Sequence, residues 1–565
     1  MALRIGDLLV EKQIITQEEL DLALKEHQNT KEFLGQTLVR LNLITEEKLL
    51  KVLAEQQGVP FVELKSMKIS DEVIENVPAK FAWHYKIMPI RIDGNVLTVA
   101  ISNPFDMWPI DDLETNLGYR VEIALAVASD ISETIKKYYG VGADTIERIL
   151  AEAPKDKEEA KEEREAQAKE EDLEAGAADA SVVRLVNQIL QQAIHDRATD
   201  IHFESYRNEL LLRYRIDGIL YDTQVSENIR YLYPAIVSRI KVMANLDIVE
   251  RRIPQDGRAK VKISNAEYEL RISIIPTLYG ENIVIRILST KMLFSMSDLG
   301  MDDTHLKILE KILAKPHGII FVTGPTGSGK TTTLYTCLSQ LNTRERKIIT
   351  IEDPVEYELR GISQIQVNAK IKLTFATALR SILRHDPDVI MVGEVRDMET
   401  AQITIQTALT GHLVFSTIHT NTAAGGATRL IDMGIDPFLI TSSVEAFIAQ
   451  RLVRVICPEC KVQITDEKIE IGEPVPGINP NRPFFRGKGC AACNMMGYKG
   501  RAGIYEILVV SPEIRKLILQ KASADIIENK ARELGIKPLV QSGWEKVFEG
   551  VTTPEEVRRV TQMEG

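Results

Sequence analysis

The chain has 565 residues, 44% hydrophobic and 27% charged, with a formal net charge of −12. That much apolar material excludes a wholly disordered chain, and at about 150 residues per domain the length predicts about four domains. The acidic total argues against broad electrostatic binding of nucleic acid or anionic lipid, and five cysteines do not make a disulfide framework.

The first residues carry no apolar core behind a basic end, and nowhere do about 18 uninterrupted apolar residues occur. Neither a signal peptide nor a membrane span is expected, and the expected compartment is a reducing cytosol. Residues 4–27 and 33–56 form an internal repeat at an offset of 29, aligning Gly6 with Gly35, Leu9 with Leu38, Ile15 with Ile44, Leu20 with Leu49 and Leu24 with Leu53. In each copy a threonine, Thr16 or Thr45, precedes a Glu-rich turn and a 3–4 apolar period. That is a helix start signal and predicts a small helical pair. Residues 61–140 mix strand-like runs such as 96–101 with short helices. Residues 155–174 are almost all Glu, Lys, Ala, Arg and Asp with no apolar face to bury, the composition of an interdomain linker. A third unit, 180–297, opens with an amphipathic helix at 182–194 and continues with strand-like alternation over 209–216 and 268–274. From about 298 the pattern becomes strand, glycine loop, helix, which predicts an α/β domain with a mainly parallel sheet.

The apolar run 319–323 leads into Gly324, Pro325, Thr326, Gly327, Ser328, Gly329, Lys330 and Thr331, followed by Thr332 and a helical stretch. This is G-x-x-x-x-G-K-[ST] between a strand and a helix, the context the motif requires. Its glycines let backbone N–H groups turn around phosphate oxygens, and the helix N-terminus adds partial positive charge. Lys330 is expected at the β- and γ-phosphates and Thr331 at Mg²⁺. Two further apolar runs end in acids: 347–351 in Glu352, Asp353 and Glu356, and 388–393 in Glu394. Carboxylates at the C-terminal ends of parallel strands sit where ligands bind in open α/β sheets. One can hold the metal's water shell and another can polarise the attacking water. His412 and His419, two of nine histidines, flank another apolar strand and as a pair could sense the γ-phosphate.

Cys457 with Cys460 and Cys490 with Cys493 are two C-x₂-C pairs separated by 29 residues. Two such knuckles complete a closed, tetrahedral, structural Zn²⁺ site, and a reducing cytosol favours zinc over disulfides. Cys337 stands alone in the helix after the phosphate loop and reads as a packed small residue.

Together these blocks resemble the secretion ATPase superfamily, specifically the assembly ATPases of type II secretion and type IV pili (the GspE/PilB family), over essentially the whole chain. The specific matches are TIEDPVEYEL, LRHDPDVIMVGEVRD, TGHLVFSTIHTN and AQRLVR, which correspond to the Asp box, the Walker B region, the His box and a nearby basic segment. By position, the resemblance implies Glu356 as general base, supported by Glu352 and Asp353, with Glu394 as the Walker B acid and His412 and His419 as the His-box pair. Blocks 198–204, 213–218, 251–258 and 271–281 resemble the family's second N-terminal domain, whose arginines close over the nucleotide. By position these are Arg271 and Arg286.

The implied fold class is multidomain α/β. It comprises an N-terminal helical plus α/β domain at 1–145, the charged linker at 146–179 and a PAS-like α+β domain at 180–297. A RecA-like P-loop ATPase domain at 298–510, with the zinc module at about 455–500, and a C-terminal helical segment at 511–565 complete it. The implied assembly is a cytoplasmic homohexamer, held peripherally at the inner membrane by a platform protein and a bitopic linker protein, with no nucleic acid partner. The motifs look nearer to type II secretion, with pilus extension as the alternative. The rivals are a nucleotide-regulated scaffold without motor output and a DNA-transfer motor. The N-terminal repeat resembles a cyclic di-GMP module, two 24-residue copies of R-L-G-x₂-L-x₃-G-x-I-x₄-L-x₃-L-x₂-Q with a five-residue spacer. Arg4 and Gln56 match, but Phe33 replaces the second Arg, Gln13 and Asn42 the glycines, and His27 the first Gln. A lost guanidinium removes a phosphate or guanine-edge contact, and lost glycines forbid close backbone approach.

Overall fold

The computed structural model describes residues 5–30, 32–105, 108–143, 145–146, 180–263, 265–289, 295–464 and 483–561. The charged stretch 155–174, Arg4 and the side chain of His27 lie outside the described residues. The chain divides into two compact units, Met1–Ile287 and Leu288–Gly565.

The first unit begins with four helices, Ile5–Glu11, Gln17–Thr30, Leu34–Arg40 and Glu46–Gln57, so each repeat copy is a helix pair. Thr16 and Glu19 form a reciprocal cap, the Thr16 N–H reaching Glu19 Oε2 at 2.7 Å and the Glu19 N–H reaching Thr16 Oγ1 at 3.2 Å. Thr45 caps the second copy by accepting the Lys48 N–H. The repeat-related Leu9 and Leu38, Ile15 and Ile44, and Leu20 and Leu49 are all buried in one core, whereas Leu24 is exposed. The glycines are there for helix approach: a Cβ on Gly6 would lie 2.8 Å from Leu20 Cδ1, and one on Gly35 2.9 Å from Leu49 Cδ2. Gln13 and Asn42 have φ of 58° and 56°, the left-handed geometry that glycine favours. The turn at each of these positions is formed without glycine, closed by Ile14 N–H to Leu9 O and by Leu43 N–H to Leu38 O, both at 3.0 Å.

Next comes a three-stranded sheet of β1 (Met88–Asp93), β2 (Val96–Ile101) and β3 (Arg120–Leu125), with β1 antiparallel and β3 parallel to β2. The rest of this unit is a six-stranded sheet. Its strands are β4 (Ala198–Ser205), β5 (Leu210–Ile216), β6 (Ile219–Thr223), β7 (Gln255–Ile263), β8 (Ala266–Thr277) and β9 (Gly280–Ser289), in the order β6-β5-β4-β9-β8-β7. The alternation in β5 is strict: Leu210, Leu212, Tyr214 and Ile216 are buried, while Arg213 and Arg215 take the other face. Helices Ala180–His195 and Ile229–Met243 cover the apolar side, and the Tyr214 hydroxyl donates to Ile189 O at 3.1 Å.

The second unit is built on a seven-stranded sheet. Its strands are β10 (Gly318–Thr323), β11 (Ile348–Glu352), β12 (Ser363–Gln366), β13 (Val389–Val392), β14 (Leu413–Ile418), β15 (Val444–Ile456) and, after a two-stranded hairpin of β16 (Lys461–Ile464) and β17 (Phe484–Gly487), β18 (Tyr498–Val509). The order is β12-β11-β13-β14-β10-β15-β18, parallel throughout except for β18. Every residue of β10, β11, β13 and β14 is buried, as expected of parallel strands covered on both faces. Alternate residues of β10 feed two cores, Ile319 and Phe321 one and Ile320 and Val322 the other. The C-terminal helices share the first of these cores through Ile514, Ile518, Ile527, Trp544 and Val557. They are layered onto the sheet rather than appended to it.

Candidate functional site

Parallel strands deliver their following loops to one edge, and here that edge carries the phosphate loop. Gly324, Gly327 and Gly329 have φ of 146°, 79° and 88°. A Cβ at Gly324 would lie 2.6 Å from Gln450 O, and one at Gly329 2.8 Å from Gln450 Nε2, so strand β15 dictates glycine at both positions. Helix Lys330–Leu341 starts directly at the motif lysine. The Lys330 ammonium donates to Gly324 O at 2.8 Å and to Pro325 O at 2.9 Å. Burial pushes it down to about 8, against the pull of the Glu394 charge. Ser328 Oγ and Thr323 Oγ1 are buried without a hydrogen-bond partner. A loop that turns its own lysine on its carbonyls, leaves buried hydroxyls unpaired and has no room for a Cβ at Gly324 or Gly329 fits a phosphate chain. Thr331 and Thr332, half-buried on the first helical turn, stand where a magnesium ligand is needed.

The strand-end acids divide into two kinds. Glu394 is 8% exposed, paired with Arg396 Nη2 at 2.6 Å and 3.4 Å from His419 Nε2. Glu394, His419 and Lys330 thus share one edge. Glu352 does not face that space as expected. It is 3% exposed and takes hydrogen bonds from the Tyr335 hydroxyl, Thr350 Oγ1 and Gln364 Nε2. Asp353 is exposed and Glu356 half-buried, its N–H donating to Tyr335 Oη at 3.3 Å.

The two histidines do not form a pair. Strands β10 and β14 are parallel, with Gly318 opposite Leu413 and Thr323 opposite Ile418. His419 follows β14 at the phosphate-loop end, whereas His412 precedes it at the other end, its carbonyl accepting the Gly318 N–H and its Nδ1 2.9 Å from Thr407 O. Seven residue steps along the six-residue strand separate the two by about 23 Å, so within one chain only His419 reaches the nucleotide edge.

Two residues to which the sequence assigned no role complete the edge. Arg451, 6% exposed, donates to Asn421 O at 3.2 Å, and its charge also lowers Lys330. Gln450 Oε1 accepts the Thr333 hydroxyl at 2.8 Å. The block AQRLVR hinted at this segment by its basic character alone.

In the first unit, Arg286 Nε donates to Asp200 Oδ1 at 2.9 Å, and Arg215 Nε lies 3.9 Å from the same carboxylate. Asp200 stands opposite both arginines in register, so the three share one face. Arg271, on β8, stands opposite Arg258 and lies 4.0 Å from Glu269.

Among the described residues the four cysteines form a metal-competent cluster, their sulfurs all within 4.8 Å of one another. Cys457 and Cys490 are 3.8 Å apart, Cys460 and Cys493 3.9 Å, and Cys490 and Cys493 3.8 Å. Disulfides would need about 2.05 Å. Four thiolates about 2.3 Å from one zinc would stand about 3.8 Å apart, so the donor set fits the ion. The N–H groups of Cys490 and Gly497 donate to Cys493 Sγ, each at 3.2 Å. Within the spacer between the pairs, β16 and β17 pair antiparallel on either side of 465–482, which lie outside the described residues. Cys337 is buried, and burial pushes its thiol up to about 12. Among the described residues no helix is long and apolar enough to cross a membrane.

Comparison with known proteins gives two family matches. The Type II/IV secretion system protein family matches residues 175–559, and the MshEN domain matches residues 57–145. The type IV pilus assembly ATPase PilB of Myxococcus xanthus is 42% identical over 565 residues, 99% of this chain and 98% of that protein. The type II secretion system protein E of Xanthomonas campestris is 40% identical over 573 residues, covering 99% of this chain and 98% of its own. That of Pseudomonas aeruginosa is 50% identical over 397 residues, 70% of this chain and 78% of its own. Among solved structures, the ATPase DotB of Legionella pneumophila shares the fold, with a TM-score of 0.51 at 22% identity over 67% of this chain and 95% of that one.

Proposed function

This chain belongs to the type II/IV secretion system protein family and is a secretion or pilus-assembly ATPase, and on that premise we propose that Glu356 is its general base and Glu394 its Walker B acid. The observation that carries the reading is one sheet edge on which the phosphate loop, the Glu394–His419 pair and the loop bearing Glu356 all emerge. Backbone N–H groups of residues 326–331 and the Lys330 ammonium hold the β- and γ-phosphates. Thr331 and Glu394 would hold Mg²⁺, which supplies neutralising charge between those phosphates. Glu356 takes the proton of the attacking water as its oxygen bonds to the γ-phosphorus. The bond to the bridging oxygen breaks, and ADP leaves with that oxygen's electron pair. Arg271 and Arg286 would neutralise the transferred phosphoryl group from the first unit. The four cysteines would hold one structural Zn²⁺.

We place the chain in type II secretion, supported by the 50% identity to the Pseudomonas protein. Deletion removing secreted enzymes while sparing pili tests that choice. The working form we propose is a cytoplasmic homohexamer at the inner membrane, bound to a platform protein and a bitopic linker protein. For the N-terminal repeat we propose cyclic di-GMP as ligand, because Gln13 and Asn42 keep the left-handed turns of the motif's glycines; titration calorimetry decides it. The central test is Glu356→Gln. It should leave nucleotide binding near wild type and lower turnover by about 10²-fold or more. Wild-type turnover would show that another group is the base.

A further inference from the structure

Tyr335 lies on the helix that begins at Lys330, and its hydroxyl joins that helix to the strand-end acids. The O–H donates to Glu352 Oε2, and the oxygen accepts the Glu356 N–H at 3.3 Å. Glu352 Oε1 accepts from Thr350 Oγ1 at 2.6 Å and from Gln364 Nε2 at 3.1 Å. Gln364 in turn donates to Tyr357 O at 3.0 Å and accepts the Leu359 N–H at 2.7 Å. The ring of Tyr335 meets that of Tyr357 edge-on, with centroids 6.1 Å apart. One buried carboxylate therefore holds the segment from Glu356 to Leu359 at both ends, through Tyr335 at one and Gln364 at the other.

We propose that Tyr335 is a positioning residue for Glu356, with Glu352 as its anchor rather than a ligand of nucleotide or metal. The proposal rests on the reading of Glu356 as the general base. Such a base works only within hydrogen-bond reach of its water, and a misplacement of about 1 Å can cost about 10²-fold. Tyr335 is five residues beyond Lys330, about 7.5 Å along the same helix. Tyr335 thus ties the helix that follows the phosphate loop to the Glu356 backbone. Glu352, already accepting three hydrogen bonds and 3% exposed, has no free face toward the loop.

The test uses the full chain and steady-state hydrolysis with MgATP, alongside MgADP binding. Tyr335→Phe removes one hydroxyl and keeps the ring, so kcat should fall about tenfold while KM and the MgADP Kd stay within about twofold. In a Glu356→Gln background the same substitution should lower kcat no further, because the group it positions is gone. Glu352→Gln keeps an acceptor for Tyr335 and should bind MgADP as the wild type does, even where Tyr335→Phe fails to fold. Wild-type kcat in Tyr335→Phe, or a multiplicative loss in the double variant, overturns the proposal. Loss of MgADP binding in Glu352→Gln overturns the anchor assignment. Wild-type turnover in Glu356→Gln alone would instead overturn the base on which the proposal rests.

Discussion

Lys330 has an ammonium that burial holds at about 8, and this makes nucleotide binding depend on pH in a definite direction. In the free protein the group is mostly charged at pH 7 and mostly neutral at pH 9. A bound triphosphate favours the ammonium and raises its pKa again, so binding must take up the missing proton. Uptake should be about 0.1 proton at pH 7 and about 0.9 at pH 9, and affinity should fall toward tenfold per pH unit above 8. Calorimetry of a non-hydrolysable ATP analogue in two buffers of different ionisation enthalpy reads this directly. Uptake that does not change between the two pH values would mean that Lys330 stays charged throughout. The lysine itself was legible in the sequence because its motif is contiguous, as were the glycines around it. Tyr335, Gln364, Gln450 and Arg451 were not, because their roles come from strands and loops far away in sequence: Gln450 meets Gly324 and Gly329 from β15, and Gln364 meets Glu352 from β12.

Strand β15, the cysteine knuckles and the helix Pro554–Thr561 meet at one junction. The Ile456 N–H donates to Val551 O at 2.8 Å, and the Cys457 N–H to Gly497 O at 2.9 Å. Glu556, 2% exposed, pairs with Arg454 at 2.6 Å and Arg559 at 2.8 Å. Arg454 also lies 4.1 Å over the Tyr498 ring. Burial opposes ionisation of Glu556, but hydrogen bonds from Arg559 and Arg454 outweigh it and hold the carboxyl at about 2. A depressed carboxylate stabilises fully above its ordinary value of 4.5 and loses that contribution as pH falls from there through 2. Glu556→Gln should cost about 3 kcal/mol or more at neutral pH by leaving two arginines without their charge, and the difference from wild type should shrink on acidification over that window. The cysteines tie into the same junction. Native protein should carry one Zn²⁺ per chain, and chelation should expose four titratable thiols and lower the melting temperature of the C-terminal region. Elemental analysis near zero with four reactive thiols in untreated protein would remove the metal. The alternating strand β5 and the buried runs β10 and β14 were legible because period and length specify them. The reading of His412 and His419 as a pair failed on the same ground: a six-residue strand between them puts them at opposite edges of the sheet.

Arg271 and Arg286 lie in the first compact unit and Lys330 in the second. If those arginines serve the reaction, the first unit must bring them to the nucleotide, so turnover and domain motion become one observable. In the six-stranded sheet Asp200, 5% exposed, holds the Arg286 Nε at 2.9 Å, yet the arginine side chain remains 55% exposed. A charge oriented by a buried partner and still open to solvent can meet a phosphate without large desolvation. Loss of either guanidinium should therefore cut turnover by roughly 10²-fold or more, as arginine-finger loss does elsewhere, while the thermal transition of the second unit stays put. Lysine should restore little, because an ammonium lacks the planar fork. Small-angle scattering should show the wild-type chain becoming more compact with a non-hydrolysable ATP analogue and both alanine variants failing to do so, since the attraction between the units has gone. Asp200→Asn should give an intermediate result, with compaction retained and turnover lowered, because Arg286 keeps its charge and loses its orientation. Full activity in both alanine variants would move the role to Arg213 or Arg215, the neighbouring guanidiniums on β5.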